Sequence, residues 1–82
     1  QNVKDADKKS IVIQITNRDR IRIRGRDVDF RAVRANIERL HAENPDAPVV
    51  VQPHLDSTTE TMIHVMDSAR QAGVFSVSIA AS

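Results

Sequence analysis

The stretch Asn44-Pro45-Asp46-Ala47-Pro48-Val49-Val50-Val51 contains the change from helix to strand that decides this fold. Proline disfavours helical geometry in the residue before it, so Pro45 predicts that a helix ends near Asn44. The three consecutive valines after Pro48 are typical of a buried strand. The stretch therefore predicts a helix, a short loop and a buried strand, in that order.

Amphipathic helices are predicted on both sides of this valine run. Downstream, Ser57 and Glu60 have the spacing of a capping box, which indicates that a helix begins there, and Gly73 predicts a left-handed cap at its end. The inward stripe of this helix is formed by Met62, Val65, Met66, Ala69 and Ala72. Upstream, the corresponding helical stripe is formed by Phe30, Val33, Ile37 and Leu40.

A hairpin is predicted at the start of the folded region. Residues 11–16 form a first strand, because isoleucines recur there at every second position. Turn residues at 17–19 lead to a second strand over residues 20–24. Gly25 ends that strand, and an aspartate at 27 or 29 caps the helix that follows.

The C-terminal residues 75–80 predict a last strand, in which Phe75, Val77 and Ile79 form an apolar face. The element order is then ββαβαβ. Strand–helix–strand units favour right-handed crossovers, which place both helix stripes over one side of a sheet. We therefore expect an α+β, two-layer sandwich with two helices packed on one face of a four-stranded mixed sheet.

Composition limits the chain to one domain with a modest core. Its 82 residues are 40% apolar, mainly aliphatic, and include no cysteine that could form a disulfide or bind a metal, so we expect self-association. A net charge of +1 does not indicate a general nucleic-acid or membrane-surface binder. No apolar run has the roughly 18 to 20 residues that cross a bilayer. Polar residues 1–10 are interpreted as a flexible linker, and residues 11–82 as the folded domain.

No catalytic, cofactor or metal site is predicted. His41 and His64 fall on different helices, and no acidic triplet accompanies them or His54, which follows the valine strand. Ser57 already has a capping role, which argues against a nucleophile. Two glycines cannot form a glycine-rich phosphate loop. These observations argue against an enzyme.

Five arginines recur at every second position from Arg18 to Arg26, and the three central ones are Arg20, Arg22 and Arg24. On a strand, this spacing places several guanidinium groups on one face, where they could bind an anion or a partner. The alternative is a solvated face that protects an edge strand from unwanted pairing. Single-stranded nucleic-acid readers combine such charge with aromatic platforms, and the chain has no Tyr or Trp.

Three segments, residues 44–51, 60–67 and 70–74, resemble the C-terminal domain of the ExbD/TolR family. The most specific part is the pattern V-M-D-x-x-x-Q-A-G-V over residues 65–74, and the similarity spans nearly all of residues 11–80. The resemblance implies a fold similar to the ββαβαβ arrangement. The chain departs from the family pattern at Gln52-Pro53-His54, where relatives commonly have an R-A-D-like sequence, so contacts at that loop are not carried over.

The resemblance implies an accessory protein of energy transduction at the bacterial inner membrane. Residues 1–10 would then be a linker from an absent transmembrane helix, and residues 11–82 a periplasmic domain. The implied partners are an ExbB/TolQ-type channel protein and a TonB- or TolA-type protein, with a homodimer and peptidoglycan contact as further expectations. The implied role is to couple proton-motive force to outer-membrane transport or integrity.

Strand addition would suit such a non-catalytic module, because backbone pairing gives affinity without a catalytic site. The candidate partner-binding or dimer residues are Arg20, Arg22, Arg24, His54, Phe75, Val77 and Ile79. The alternative hypothesis is a nucleic-acid or small-ligand binding module of an α/β sandwich type. Ferredoxin-like binders of that kind usually run βαββαβ and display aromatic side chains, so we expect no nucleic-acid partner.

Overall fold

The computed structural model describes residues 10–80, so most of the predicted linker and the last two residues of the predicted domain lie outside the described residues. The elements in chain order are β1 (Ile11–Ile15), β2 (Ile21–Ile23), β3 (Arg26–Val28), a 3₁₀ turn (Phe30–Ala32), α1 (Val33–Glu43), β4 (Val49–Pro53), α2 (Thr59–Gln71) and β5 (Val77–Ile79). The predicted α+β class with two helices and a mixed sheet is confirmed. The sheet has five strands, one more than predicted.

The strands lie in the order β3-β2-β1-β4-β5, with β3 and β5 at the two edges. β1, β2 and β3 are antiparallel neighbours, whereas β4 runs parallel to both β1 and β5. Every second residue of the central strands is buried, because side chains alternate between the two faces of a sheet. These buried residues are Ile11, Ile13, Ile15, Ile21, Ile23, Val49 and Val51.

The strand missed by the sequence analysis is β3, which follows β2 through a turn at Arg24 and Gly25. These two residues have φ of 54° and 83°, and positive φ at both central residues is the signature of a type I′ hairpin turn. Arg22 and Asp27 are direct neighbours across this hairpin, and their side chains form a 2.9 Å ion pair. Asp27 therefore pairs within the sheet and does not cap a helix.

The core lies between the helices and one face of the sheet. Val33, Ile37 and Leu40 of α1 are buried as predicted, and so are Val65 and Ala69 of α2. The other predicted stripe residues of α2 are partly buried against this cluster. Neither helix of residues 10–80 has the length and apolar character needed to cross a bilayer.

Phe30 is the exception to the predicted stripe of α1. It lies in the 3₁₀ turn before α1, is 46% exposed, and therefore does not enter the core. Its ring stacks instead on His64 of α2, with ring centroids 3.7 Å apart. His64 Nε2 also donates a 2.8 Å hydrogen bond to the Phe30 carbonyl, so the two residues tie the 3₁₀ turn to α2.

The helix caps agree with the sequence predictions except at the start of α2. Asp29 caps the 3₁₀ turn by accepting a bond from the Arg31 N–H, as one of the two predicted alternatives. The cap of α2 is Thr58, one residue later than the predicted Ser57, whose hydroxyl donates instead to the His54 carbonyl. Gly73 has φ of 95°, which confirms the predicted left-handed cap.

Candidate functional site

The outer side of β5 offers backbone groups for pairing. Among the described residues β5 pairs only with β4, through bonds in which the Ser76 carbonyl accepts from the Val49 N–H and the Ala80 N–H donates to the Val51 carbonyl. Alternate residues of a strand direct their backbone groups to opposite sides, so the N–H and C=O groups of Val77 and Ile79 point away from β4. An additional strand could pair with these groups.

An apolar groove of about 300 Å³ adjoins this edge. Its lining includes Pro53 and Leu55 after β4, Met62 of α2 and Ile79 of β5. Leu55 is 91% exposed and Ile79 is 48% exposed. Apolar side chains are thus presented beside the outward backbone groups, which is the combination that an extended peptide requires.

Phe75 and Val77, two of the predicted site residues, have different surroundings. The predicted strand over residues 75–80 is shorter in the structure, so Phe75 precedes β5 and is 85% exposed. Val77 is partly buried against the core. Phe75 is therefore a solvent-facing aromatic side chain at the entry to β5, while Val77 anchors the strand.

His54 lines the groove, at the end of β4, where the sequence analysis placed it. Its backbone N–H donates to the Ile15 carbonyl at 2.8 Å, and its carbonyl accepts a bond from the Ser57 hydroxyl. Ring Nδ1 accepts a 3.0 Å hydrogen bond from the Asp56 N–H. These bonds order the loop that carries Leu55.

Asp19, in the turn between β1 and β2, holds the α2 wall of the groove. Its Oδ1 accepts a 2.7 Å hydrogen bond from the backbone N–H of Thr58, the residue that caps α2. Asp19 has φ of 59°, a left-handed conformation that Asp tolerates better than most residues. From the sequence, Asp19 was predicted only as a turn residue, because a contact across 39 positions has no local sequence signal.

The predicted arginines do not share one face. Arg22 alone lies within β2, on the side of the sheet away from the helices, and is paired with Asp27. Arg20 precedes β2, and Arg24 lies in the hairpin turn. Arg26 is opposite the buried Ile23 and so belongs to the helix side. The expectation of a single arginine face is wrong, because the chain reverses direction after three residues of β2.

The described residues contain no group of three or more His, Cys, Asp or Glu side chains that could hold a metal ion. Two of the histidines make the structural contacts given above, His54 in the groove loop and His64 on Phe30. The ring of His41 lies beside Gly73, at the end of α2. Within residues 10–80 the three histidines therefore do not converge on a common site.

Comparison with known proteins identifies related sequences. The family model described as "Biopolymer transport protein ExbD/TolR" matches residues 1–82. A curated relative, "Biopolymer transport protein exbD2" of Vibrio cholerae, is 39% identical over 71 residues, which cover 87% of this chain and 53% of the relative. The chain thus spans about half the length of that relative. It belongs to the ExbD/TolR family of biopolymer transport proteins.

Proposed function

We propose that this chain is a periplasmic, non-catalytic domain that binds a segment of a TonB- or TolA-type protein by strand addition at β5. Family membership supports an accessory role in biopolymer transport. In this proposal, the full protein is anchored in the bacterial inner membrane beside an ExbB/TolQ-type channel protein. It couples proton-motive force to outer-membrane transport or integrity.

The observation that carries the proposal is the outward backbone of Val77 and Ile79 beside the apolar groove. Backbone pairing supplies affinity, and alternate side chains of the added strand supply selectivity in the groove. The opposite edge of the sheet is less suited to this role. β3 and β5 are both three residues long, but β3 carries Arg26 and Asp27, and charged side chains on an edge strand oppose further pairing.

The sheet face away from the helices supports a protein partner rather than a nucleic acid. Among the described strand residues this face carries Val12, Gln14, Arg22, Asp27, Val50, Gln52 and Ser78, none of them aromatic. The Gln14 and Gln52 side chains are joined by a 3.4 Å hydrogen bond, and Arg22 is neutralised by Asp27. Base stacking, which contributes about 1 to 3 kcal/mol per base in single-strand binders, has no platform here.

We infer a homodimer as part of the same proposal. The buried hydrophobic residues of the described chain are aliphatic, and a domain of this size is stabilised only modestly by its own core. A second copy would pair through β5, where the backbone groups are open. The partner segment and the second copy then compete for one edge.

The test is a two-dimensional NMR titration of the isotope-labelled chain with a peptide from the partner's periplasmic segment. Shifts are expected first at residues 75–80 and in the lining of the groove. Ile79→Lys should weaken binding about tenfold or more, because a lysine at an edge position opposes strand addition. Ser78→Lys is the matched control, since residue 78 faces the other side of the sheet and directs its backbone toward β4. Equal weakening in both variants, or shifts confined to β3, would contradict the proposal.

A further inference from the structure

A second cleft lies between β3 and α1, at the edge of the sheet opposite to β5. It has a volume of about 550 Å³, within the range of ligand-binding clefts. Its apolar part comes from Ile23 of β2, Val28 of β3 and Leu40 of α1. Three arginines also line the cleft: Arg24 and Arg26 from the hairpin, and Arg39 from the helix.

The hairpin arginines of this cleft are not neutralised within the described chain. The side chains of Arg24 and Arg26 make no ion pair or hydrogen bond among residues 10–80. Arg39 contacts the side chain of the half-buried Asn36 at 3.1 Å and lies 3.8 Å from a carboxylate oxygen of Glu43, and Arg39 and Glu43 are exposed. Solvent screens such exposed contacts, so Arg39 can exchange them for a ligand.

Two carboxylates of the lining already have partners. Asp27 is held by Arg22 at 2.9 Å, and Asp29 accepts the Arg31 N–H at 2.9 Å. The carboxylate of Asp27 shares the sheet face of Arg22, away from the helices, so in the cleft three guanidinium groups stand against the single carboxylate of Asp29. Asp29 nevertheless opposes a multiply charged phosphate more strongly than a singly charged carboxylate.

We propose that this cleft binds an extended acidic peptide segment in which acidic and apolar residues alternate. Side chains of an extended chain point alternately to opposite sides, so its carboxylates can meet the guanidinium groups while its apolar side chains pack on the partly buried Val28 and on the edges of the otherwise buried Ile23 and Leu40. Guanidinium groups bind carboxylates through two parallel hydrogen bonds, which gives orientation as well as affinity. This site is separate from the β5 edge and does not depend on the function proposed there.

The experiment uses the full 82-residue chain, isotope-labelled, and two blocked tetrapeptides. One alternates glutamate with valine, and the other alternates glutamine with valine, so the probes differ only in charge. Chemical shift changes are expected at residues 23–28 and 36–40, with about tenfold weaker binding of the glutamine peptide. Binding of the glutamate peptide should weaken with added salt, because the rim of the cleft is exposed.

Two variants separate loss of the site from loss of the fold. Arg24→Asn places the preferred Asn-Gly pair in the type I′ turn, so the hairpin is retained while the charge is removed. Arg24→Asn and Arg26→Gln should each weaken the glutamate peptide about fivefold, or more. Arg34→Gln is the control, since Arg34 lies on α1 but outside the lining and near Glu38, and it should leave binding unchanged.

Three outcomes would overturn the proposal. Equal binding of the two tetrapeptides would show that carboxylates are not recognised. Shifts at residues 75–80 would assign the peptide to the β5 edge. Displacement of the glutamate peptide by inorganic phosphate at equal concentration would show a general anion site, without the selectivity inferred from Asp29.

Discussion

At the scale of single residues, Asp19 makes the contact on which the groove most depends. Its carboxylate lies 2.7 Å from the backbone N–H of Thr58, so a turn between two strands fixes the first turn of α2. An unpaired N–H at a helix start costs free energy unless a side chain or water satisfies it. Asp19 therefore positions the wall that carries Met62.

Replacing Asp19 by Gly should lower the free energy of unfolding by about 1 kcal/mol, because the N-terminus of α2 loses a charge-assisted hydrogen bond while glycine accepts the φ of 59° without steric cost. Urea denaturation measures this change. Asp46→Gly is the control, since Asp46 is exposed in the loop before β4 and its replacement also removes one negative charge. An equal loss in both variants would show that net charge, and not the contact with Thr58, is responsible.

At the scale of elements, the β2–β3 hairpin contains a residue that its turn does not favour. Arg24 adopts φ of 54°, whereas Asn and Gly are the residues that accept this conformation most readily. The adjacent Gly25 has φ of 83°, and a Cβ there would meet no atom within 4 Å. The strain of this turn therefore lies in backbone conformation rather than in packing.

Arg24→Asn should raise the free energy of unfolding by about 0.5 kcal/mol, because asparagine tolerates the left-handed region better than arginine. Arg18→Asn is the matched control, since Arg18 lies in a turn but is not among the described residues with positive φ. Thermal and urea unfolding of the two variants give the comparison. A higher free energy of unfolding in both variants would point to the removed charge as the cause. A lower free energy of unfolding in Arg24→Asn would contradict the turn assignment.

Side-chain periodicity was sufficient to predict most elements, and its failures have physical causes. The isoleucines of β1 and the stripes of the two helices repeat over long enough stretches to define a period. β3 spans only Arg26–Val28, too short for any period to be read. Ser57 and Thr58 are both good capping residues, and only the backbone geometry selects Thr58.

The candidate site was predicted in part. Val77 and Ile79 were identified from their alternation with serine, but alternation gives the direction of side chains and not the pairing of the strand. The register of β5 with Val49 and Val51 determines that the backbone groups of Val77 and Ile79 point outward. This register joins residues that are distant in the sequence, so no local pattern predicts it. The groove depends on Asp19, Leu55 and Met62 coming together, and no local pattern connects them.

At the scale of the whole molecule, the two edges of the sheet differ in character. β5 presents open backbone beside exposed apolar side chains, whereas β3, of the same length, carries charged side chains. The inferred homodimer is therefore expected to form through β5. Its melting temperature should rise by a few degrees for each tenfold increase in protein concentration, because association stabilises the folded state.

Scanning calorimetry at several concentrations tests this dimer, together with sedimentation equilibrium. Ile79→Lys should abolish the concentration dependence, and Ser78→Lys should retain it. Addition of the partner peptide should reduce the mass measured by sedimentation toward that of one chain, because both ligands need the same edge. A melting temperature independent of concentration in the unmodified chain would contradict the homodimer.

The short charged hairpin at β3 also limits how large an assembly can become. Two copies related by a twofold axis at β5 each contribute the same strand, so the contact is self-complementary. It occupies the open β5 edge of both copies. What is left at the two outer ends is a pair of charged hairpins, which repel further copies. Association of this kind therefore ends at the dimer and does not continue into fibres.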